Sequence, residues 1–239
     1  VRRWWRVFRN LLRDAHADGY LERDLTRRVP RIETGRHGVR TEETLTVDEL
    51  RDVVDAAREE TPKRAAEIIT LSYTGMRSGE LWALHREDVD HERGSIHIHR
   101  SVSDGEVVDR TKTDVDRHIP MHPIVSEAIR EHRKLLIRRQ HDGLQSELVF
   151  PSDEGTPRYP GSLRKAFATI TEAIGLDKHV SPQVLRRTFV TLMRTAQIDS
   201  IVSRSIVGHE SEEMQEHYSR PSVEQKRDAL DSIFTAEGG

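Results

Sequence analysis

Four short segments hold the side chains that could do chemistry. In the first, Arg77 lies between Gly75 and Gly79 at the junction of two helical stretches, with Glu80 three residues on. Glycines let a backbone approach closely, so the arginine fork can aim into a cleft while the carboxylate holds it. In the second, Lys112 falls in a polar turn ahead of Arg117–Pro120. A lysine on a hairpin tip can donate a proton or touch a phosphate. In the third, Ser181 and Pro182 supply an N-cap and a first-turn proline. Gln183 and Arg186, three apart, share one face over a single turn. Both can address one ligand near a helix N-terminus, where anions are favoured. In the fourth, His209 and Tyr218 are nine residues apart. On one straight helix that is ~13.5 Å along the axis, too far to serve one atom. A break helps: Gly208 can end one helix and Ser211 can cap the next. Taken singly, each segment reads as readily as a solvated turn or helix surface.

The elements that must position these residues follow from the apolar pattern. Residues 1–18 read as a helix with Trp4, Val7, Phe8, Leu11, Leu12 and Ala15 on one face and arginines on the other, stopped by Gly19. Residues 31–44 have no apolar period and hold two glycines, which sets an expected boundary between residues 1–44 and a main body over 45–239. Thr46 and Glu49 form a capping box ahead of Leu50, Val53, Val54 and Ala57. Pro62 marks the expected start of the next helix, which runs to Gly75, and a short helix is expected around Glu80–His85. Alternation over Ser95–Ser101, with Val107–Val108 and His118–Pro120, predicts one small antiparallel sheet. Further helices are expected over 123–140, 161–174, 182–196, 199–207, 211–219 and 221–234. The class is mainly α with a small antiparallel β-sheet (α+β).

Composition narrows the chemistry. The chain has 239 residues, 35% hydrophobic and 33% charged, with a net charge of −3. That is polar but not the profile of disorder. It has no cysteine, which excludes disulfides, a thiol nucleophile and thiolate-bound metals and fits a cytosolic protein. No apolar run approaches the ~18 residues of a membrane-spanning helix, so no membrane partner is expected, and no signal peptide is recognisable. The chain starts on Val rather than Met, as a fragment or trimmed chain would. Residues 1–40 hold eleven arginines against five acids, a net of +6, so the remainder must carry −9. A basic arm on an acidic body reads either as a contact for a polyanion or as a solvated helix face. His97 and His99 share a strand face, and His118 and His122 are four apart, but no carboxylate stands at clear ligand spacing. No metal and no cofactor is expected. No phosphate-binding glycine loop and no nucleophile elbow is present.

The order of the four segments resembles the catalytic domain of the tyrosine recombinases, the phage integrase family. Thr74-Gly75-Met76-Arg77-Ser78-Gly79-Glu80-Leu81 is similar to the family's first-arginine box and Lys112 to its hairpin lysine. Gln183–Arg186 is similar to its second-arginine box, and Val207-Gly208-His209 to its Leu-Gly-His segment. Tyr218 falls on the nucleophilic tyrosine. The resemblance covers about residues 45–220, and residues 1–30 look like the last helices of a core-binding domain. It departs from the family at Gln183, where a His is usual. The resemblance implies double-stranded DNA as partner and metal-free strand exchange through a 3′-phosphotyrosine on Tyr218. Arg77, Arg186 and His209 would bind the phosphate, with Gln183 beside them. Lys112 would protonate the 5′ oxygen and Glu80 would orient Arg77. It also implies a homotetramer on DNA joined through the C-terminal helix, a place in the cytoplasm with the nucleoid, and backbone contacts from Arg2, Arg3, Arg6, Arg9, Arg13, Arg36 and Arg40. A DNA-binding relative impaired in cleavage, or a type IB topoisomerase-like enzyme, is the alternative.

Overall fold

All ten residues of Ala65–Thr74 are buried, apolar and polar alike, Glu67 among them on Arg64 at 2.9 Å and Arg158 at 3.1 Å. Such a helix belongs at the centre of a core. Its Ser and Thr hydroxyls bond within the helix: Thr70 Oγ1 and Ser72 Oγ donate to the carbonyls of Ala66 and Ile68, at 2.7 and 2.8 Å, and Thr74 Oγ1 to that of Thr70. The computed structural model describes residues 2–27, 44–109, 116–159, 161–208 and 223–234. The chain divides into two compact units, residues 1–40 and 41–239.

In the first unit, α1 spans Arg2–Ala17. Asp18 and Gly19 close it through N–H bonds to the carbonyls of Asp14 and His16, and a 3-10 turn follows at Leu25–Arg27. The apolar stripe seen in the sequence is present but uncovered, with Trp4 76% and Leu11 62% exposed.

The second unit is built from α2 (Val47–Glu60), α3 (Ala65–Thr74), α4 (Ser78–Trp82), α5 (Pro123–Arg138), α6 (Arg164–Ala173), α7 (Pro182–Thr195), α8 (Ser200–Val207) and α9 (Val223–Phe234). α3 packs against α2, α5 and α7. α2 opens on the expected capping box: Thr46 Oγ1 accepts from Glu49 N–H at 3.2 Å and Glu49 Oε2 accepts from Thr46 N–H at 2.7 Å. α3 starts three residues later than its proline suggested. Residues 62–64 form a turn instead, closed by Arg64 N–H on the Thr61 carbonyl.

The strands are β1 (Val89–Asp90), β2 (Ser95–Ile98), β3 (Ser101–Ser103), β4 (Glu106–Val108) and β5 (Arg117–Pro120). The expected single sheet is two. β1, β2 and β5 form an antiparallel sheet in the order β1-β2-β5, while β3 and β4 pair as a separate hairpin. The interruption falls at His99 and Arg100, whose side chains both turn to Asp88. The hairpin turns on Asp104 and Gly105, both at positive φ (50° and 87°), the conformation that two-residue loops require. In β5, Arg117 and Ile119 face inward and His118 outward. α9 lies on β5, α7 and α8 of its own chain, burying Ala229 and Leu230. The helix expected over 211–219 lies outside the described residues.

Candidate active site

α8 begins on Asp199, whose Oδ1 accepts from Ile201 N–H at 2.7 Å, and ends on Gly208 in the left-handed region (φ 68°). A helix end leaves its last carbonyls without intrahelical donors and carries partial negative charge. Three arginines from three other elements take three successive carbonyls there. Arg117 Nε donates to Ile206 at 2.9 Å, Arg186 Nη2 to Val207 at 2.6 Å, and Arg77 Nη2 to Gly208 at 3.3 Å.

Each arginine is placed by local structure. Arg77 precedes α4, and Glu80 in the first turn of α4 accepts from both its backbone N–H and its Nη1, at 2.8 and 2.9 Å. Arg117 opens β5 and is buried, with Nη1 and Nη2 on the two oxygens of Glu80 at 3.2 and 2.7 Å. Arg186 sits one turn into α7, behind the Ser181 cap. Its Nη1 donates to the Gly75 carbonyl at 2.6 Å, tying α7 to the end of α3. Gly75 has φ 60°, and a Cβ there would stand 2.5 Å from the Phe189 ring, so glycine is required at this crossing.

The electrostatics are lopsided. Burial alone would raise the Glu80 carboxyl, but Arg117, by charge and hydrogen bond, and then Arg77 outweigh it and hold it below the ordinary carboxylate value. Burial first, then the neighbouring Arg77 and, more weakly, Arg117, push Arg186 down to about 10 against the pull of Glu80. Among the described residues, three guanidinium groups therefore share one carboxylate. Each guanidinium carries five N–H donors, so Arg77 and Arg186 retain donors beyond those hydrogen bonds. A cluster with surplus positive charge and spare paired donors suits an oxyanion with several equivalent oxygens.

The structure thus brings together Arg77, Glu80 and Arg186. Gln183 lies on the first turn of α7 and is exposed. Lys112, His209 and Tyr218 lie outside the described residues, as do Arg36 and Arg40. His209 follows directly on Gly208, the last carbonyl of the arginine cluster. Arg2, Arg3, Arg6, Arg9 and Arg13 lie on α1. Arg13 is exposed beside Asp14 at 3.4 Å, and Arg9 Nε is buried without a hydrogen bond. Arg117 was not among the residues singled out in the sequence. Its signal was there: in Arg117-His118-Ile119-Pro120 it shares the inward face with Ile119, and an arginine on an apolar strand face demands a partner.

The histidine expectation needs correction. Carboxylates do stand near: His97 Nε2 is 2.6 Å from Asp116 Oδ1 and His99 Nε2 is 3.0 Å from Asp88 Oδ1. Asp116 is far from His97 in sequence and is delivered by the β2–β5 pairing, which spacing along the chain cannot show.

Comparison with known proteins bears on the family and the fold. The tyrosine recombinase XerC of Thermodesulfovibrio yellowstonii is 27% identical over 173 residues, covering 70% of this chain and 54% of the relative. The chain thus spans about half the length of that relative. The Tn1549 transposon integrase, solved in complex with circular intermediate DNA, has a TM-score of 0.65 at 19% identity, covering 95% of this chain and 76% of that one. A lambda integrase tetramer bound to a Holliday junction has a TM-score of 0.62 at 19% identity, covering 92% and 60%. These two likenesses show the fold. The sequence profile described as the Phage integrase family matches residues 43–225, which spans the whole arginine cluster: the chain belongs to the phage integrase family.

Proposed function

We propose that this chain is the catalytic portion of a site-specific DNA recombinase, acting in integration or excision of a phage or other mobile element. The observation that carries this reading is the cluster of Arg77, Arg117 and Arg186 around the single carboxylate of Glu80 and the end of α8. A phosphodiester carries one negative charge and its transition state more, and preorganised donors act most strongly on charge that develops during reaction. Arg77 and Arg186 are the residues that clamp the non-bridging oxygens. Glu80 and Arg117 position Arg77. His209, next to the last carbonyl of the cluster, adds a hydrogen bond to the phosphate.

The reaction is a transesterification. The Tyr218 phenol oxygen forms a bond to phosphorus and the bond from phosphorus to the 5′ oxygen breaks. The phenol proton passes to water, and Lys112 protonates the departing oxygen. The 3′-phosphotyrosine keeps the bond energy, so the 5′-hydroxyl of a second strand reverses the step with no metal or nucleotide. Residues 1–44 comprise the last part of a helical DNA-binding unit, which contacts the duplex backbone through its arginines, plus a linker, and 45–239 form the catalytic unit. Assembly on DNA as a homotetramer through the C-terminal helix exchanges the contacts α9 makes on its own chain for the same contacts on a neighbour. The setting is the cytoplasm, at the nucleoid. No helix among the described residues is long and apolar enough to cross a membrane.

The test is incubation with nicked suicide DNA followed by denaturing electrophoresis. The expected result is a covalent adduct with the natural chain and none with Tyr218→Phe, whose DNA binding stays near that of the parent. An adduct with the Phe variant overturns Tyr218 as nucleophile. DNA binding without any adduct favours the cleavage-impaired relative; an adduct that is matched, on supercoiled plasmid in a parallel incubation, by relaxation without strand exchange favours the topoisomerase-like enzyme.

A further inference from the structure

The outer face of the β1-β2-β5 sheet carries a histidine stack that the recombination chemistry does not use. His97 on β2 and His118 on β5 are directly paired across the antiparallel ladder, which sets their Cβ atoms roughly 4.5–5.5 Å apart. Their rings lie parallel, 4.2 Å between centroids, and His99 stacks on the other face of His97 at 4.3 Å. Asp116 stands beside them, with Oδ1 2.6 Å from His97 Nε2. Beneath the pair, Ile96 and Ile119 are fully buried, so the strands that carry the imidazoles are anchored in the core.

We propose that His97, Asp116 and His118 form a binding site for a divalent transition cation of the zinc class. One ligand atom from each residue lies within 4.8 Å of the others. Tetrahedral zinc with bonds of about 2.0–2.1 Å holds its ligand atoms roughly 3.3 Å apart, a closure within reach of rotation about the side-chain bonds. Two imidazoles and one carboxylate neutralise one of the two charges, leave the fourth position to water, and suit zinc rather than magnesium.

A second triad, Asp88, His97 and His99, has similar spacing, but its carboxylate is committed. Arg100 Nη1 donates to both Asp88 oxygens, at 3.1 and 2.9 Å, and would stand against an incoming cation. Asp116 is exposed, with no arginine or lysine partner among the described residues. The site also has a place in the chain that matters. Asp116 lies four residues after Lys112 and His118 lies next to Arg117. An ion here therefore ties the chain just beyond the lysine to β2. The nearby Lys226 Nζ is held at the His118 carbonyl, 2.9 Å away, on the backbone side of that residue.

The test is isothermal titration of the full chain with zinc chloride alone, and separately with magnesium chloride, compared with His118→Gln, Asp116→Asn and His99→Gln. Histidines elsewhere in the chain contribute equally to all of these, so the differences isolate the site. The expected result is saturable zinc binding that weakens by roughly tenfold or more in His118→Gln and Asp116→Asn, little change in His99→Gln, and no saturable magnesium binding. All three substituted residues are at least partly exposed, and circular dichroism checks that each variant is folded. No saturable zinc binding, or binding that survives both His118→Gln and Asp116→Asn, overturns the proposal. Loss in His99→Gln with none in Asp116→Asn overturns it in favour of the Asp88 triad. Because the readout is metal binding without DNA, failure here leaves the recombinase reading untouched.

Discussion

Arg117 grips Glu80 with both terminal nitrogens, at 3.2 and 2.7 Å, and both side chains are almost wholly buried. The paired geometry fixes the carboxylate plane. The same two oxygens receive Arg77, one its side chain and the other its backbone. The direction in which Arg77 points is therefore set by a residue on a strand forty positions further along the chain.

Removing one partner of such a pair leaves a buried charge without compensation. Glu80→Gln is expected to lower unfolding stability by about 3–5 kcal/mol, read from urea denaturation at neutral pH. Because the folded carboxyl lies below its ordinary value of 4.5, this contribution is fully present above that value. It fades as pH falls through the folded-state pKa, so parent and variant should converge in acid. Arg117→Lys keeps the charge, loses the fork, and should fall between the two. A variant as stable as the parent at neutral pH would show that the pair does not hold the site.

Gly208 offers a cleaner separation of backbone from packing. It sits at φ 68°, and a Cβ there would stand 2.8 Å from Arg117 Nη1. Gly175 has nearly the same φ, 63°, with nothing within 4 Å of its Cβ position. Both Gly→Ala changes incur the left-handed backbone cost of about 1–3 kcal/mol. Gly208→Ala should cost more than Gly175→Ala, and the excess should shrink when Arg117 is already Lys. Equal losses in thermal or urea unfolding would mean that Arg117 moves aside freely.

Much of this site was legible because its parts are local. The capping box at Thr46 and Glu49, the Ser181-Pro182 helix start and the Gly208 stop are all short-range patterns with one physical solution. Glu80 is three residues from Arg77, so their pairing could be read directly. Arg117, the Gly75 contact with Phe189 and the meeting of His97 with Asp116 are products of tertiary pairing, and no window of sequence contains both halves. The single expected sheet failed for a similar reason. Alternation continues through His99 and Arg100, but Asp88, brought in from before β1, draws both side chains away and ends the ladder. Pro62 misled because a proline fits the first position of a turn as well as that of a helix.

His132 predicts a pH dependence remote from the site. It is buried against Phe150, with ring centroids 5.1 Å apart, and neither ring nitrogen has a hydrogen bond. Burial, then the charges of Arg158, His141 and Arg64, lower its pKa to about 4. The unfolded chain takes up its proton near the ordinary 6.5, so between those values the unfolded state binds more protons. Stability should fall as pH drops from 6.5 toward 4, by up to about 3 kcal/mol. His132→Leu should flatten that slope in urea unfolding measured at successive pH values. An unchanged slope would assign the acid sensitivity to other groups.

Gln183 marks the departure with the most direct kinetic consequence. It lies exposed on the first turn of α7, one turn before Arg186, where the family pattern has a histidine. An amide can donate a hydrogen bond to a phosphate oxygen but cannot take a proton from the Tyr218 phenol. Proton transfer by a positioned group contributes roughly 10²–10⁴-fold, which bounds the loss from above. In the proposed reaction, where the Tyr218 oxygen attacks the phosphorus held by Arg77 and Arg186, the positive charge of those arginines works the other way, because cations near a phenol favour the phenolate. Gln183→His is therefore expected to raise the single-turnover rate of suicide-substrate cleavage. The gain should be largest near neutral pH and smallest at high pH, where the phenol ionises without a base. Measurement from about pH 6 to 10 brackets the ordinary His and Tyr values. A variant no faster at any pH would make position 183 a plain helix-start residue, with the phenol proton leaving to solvent in parent and variant alike.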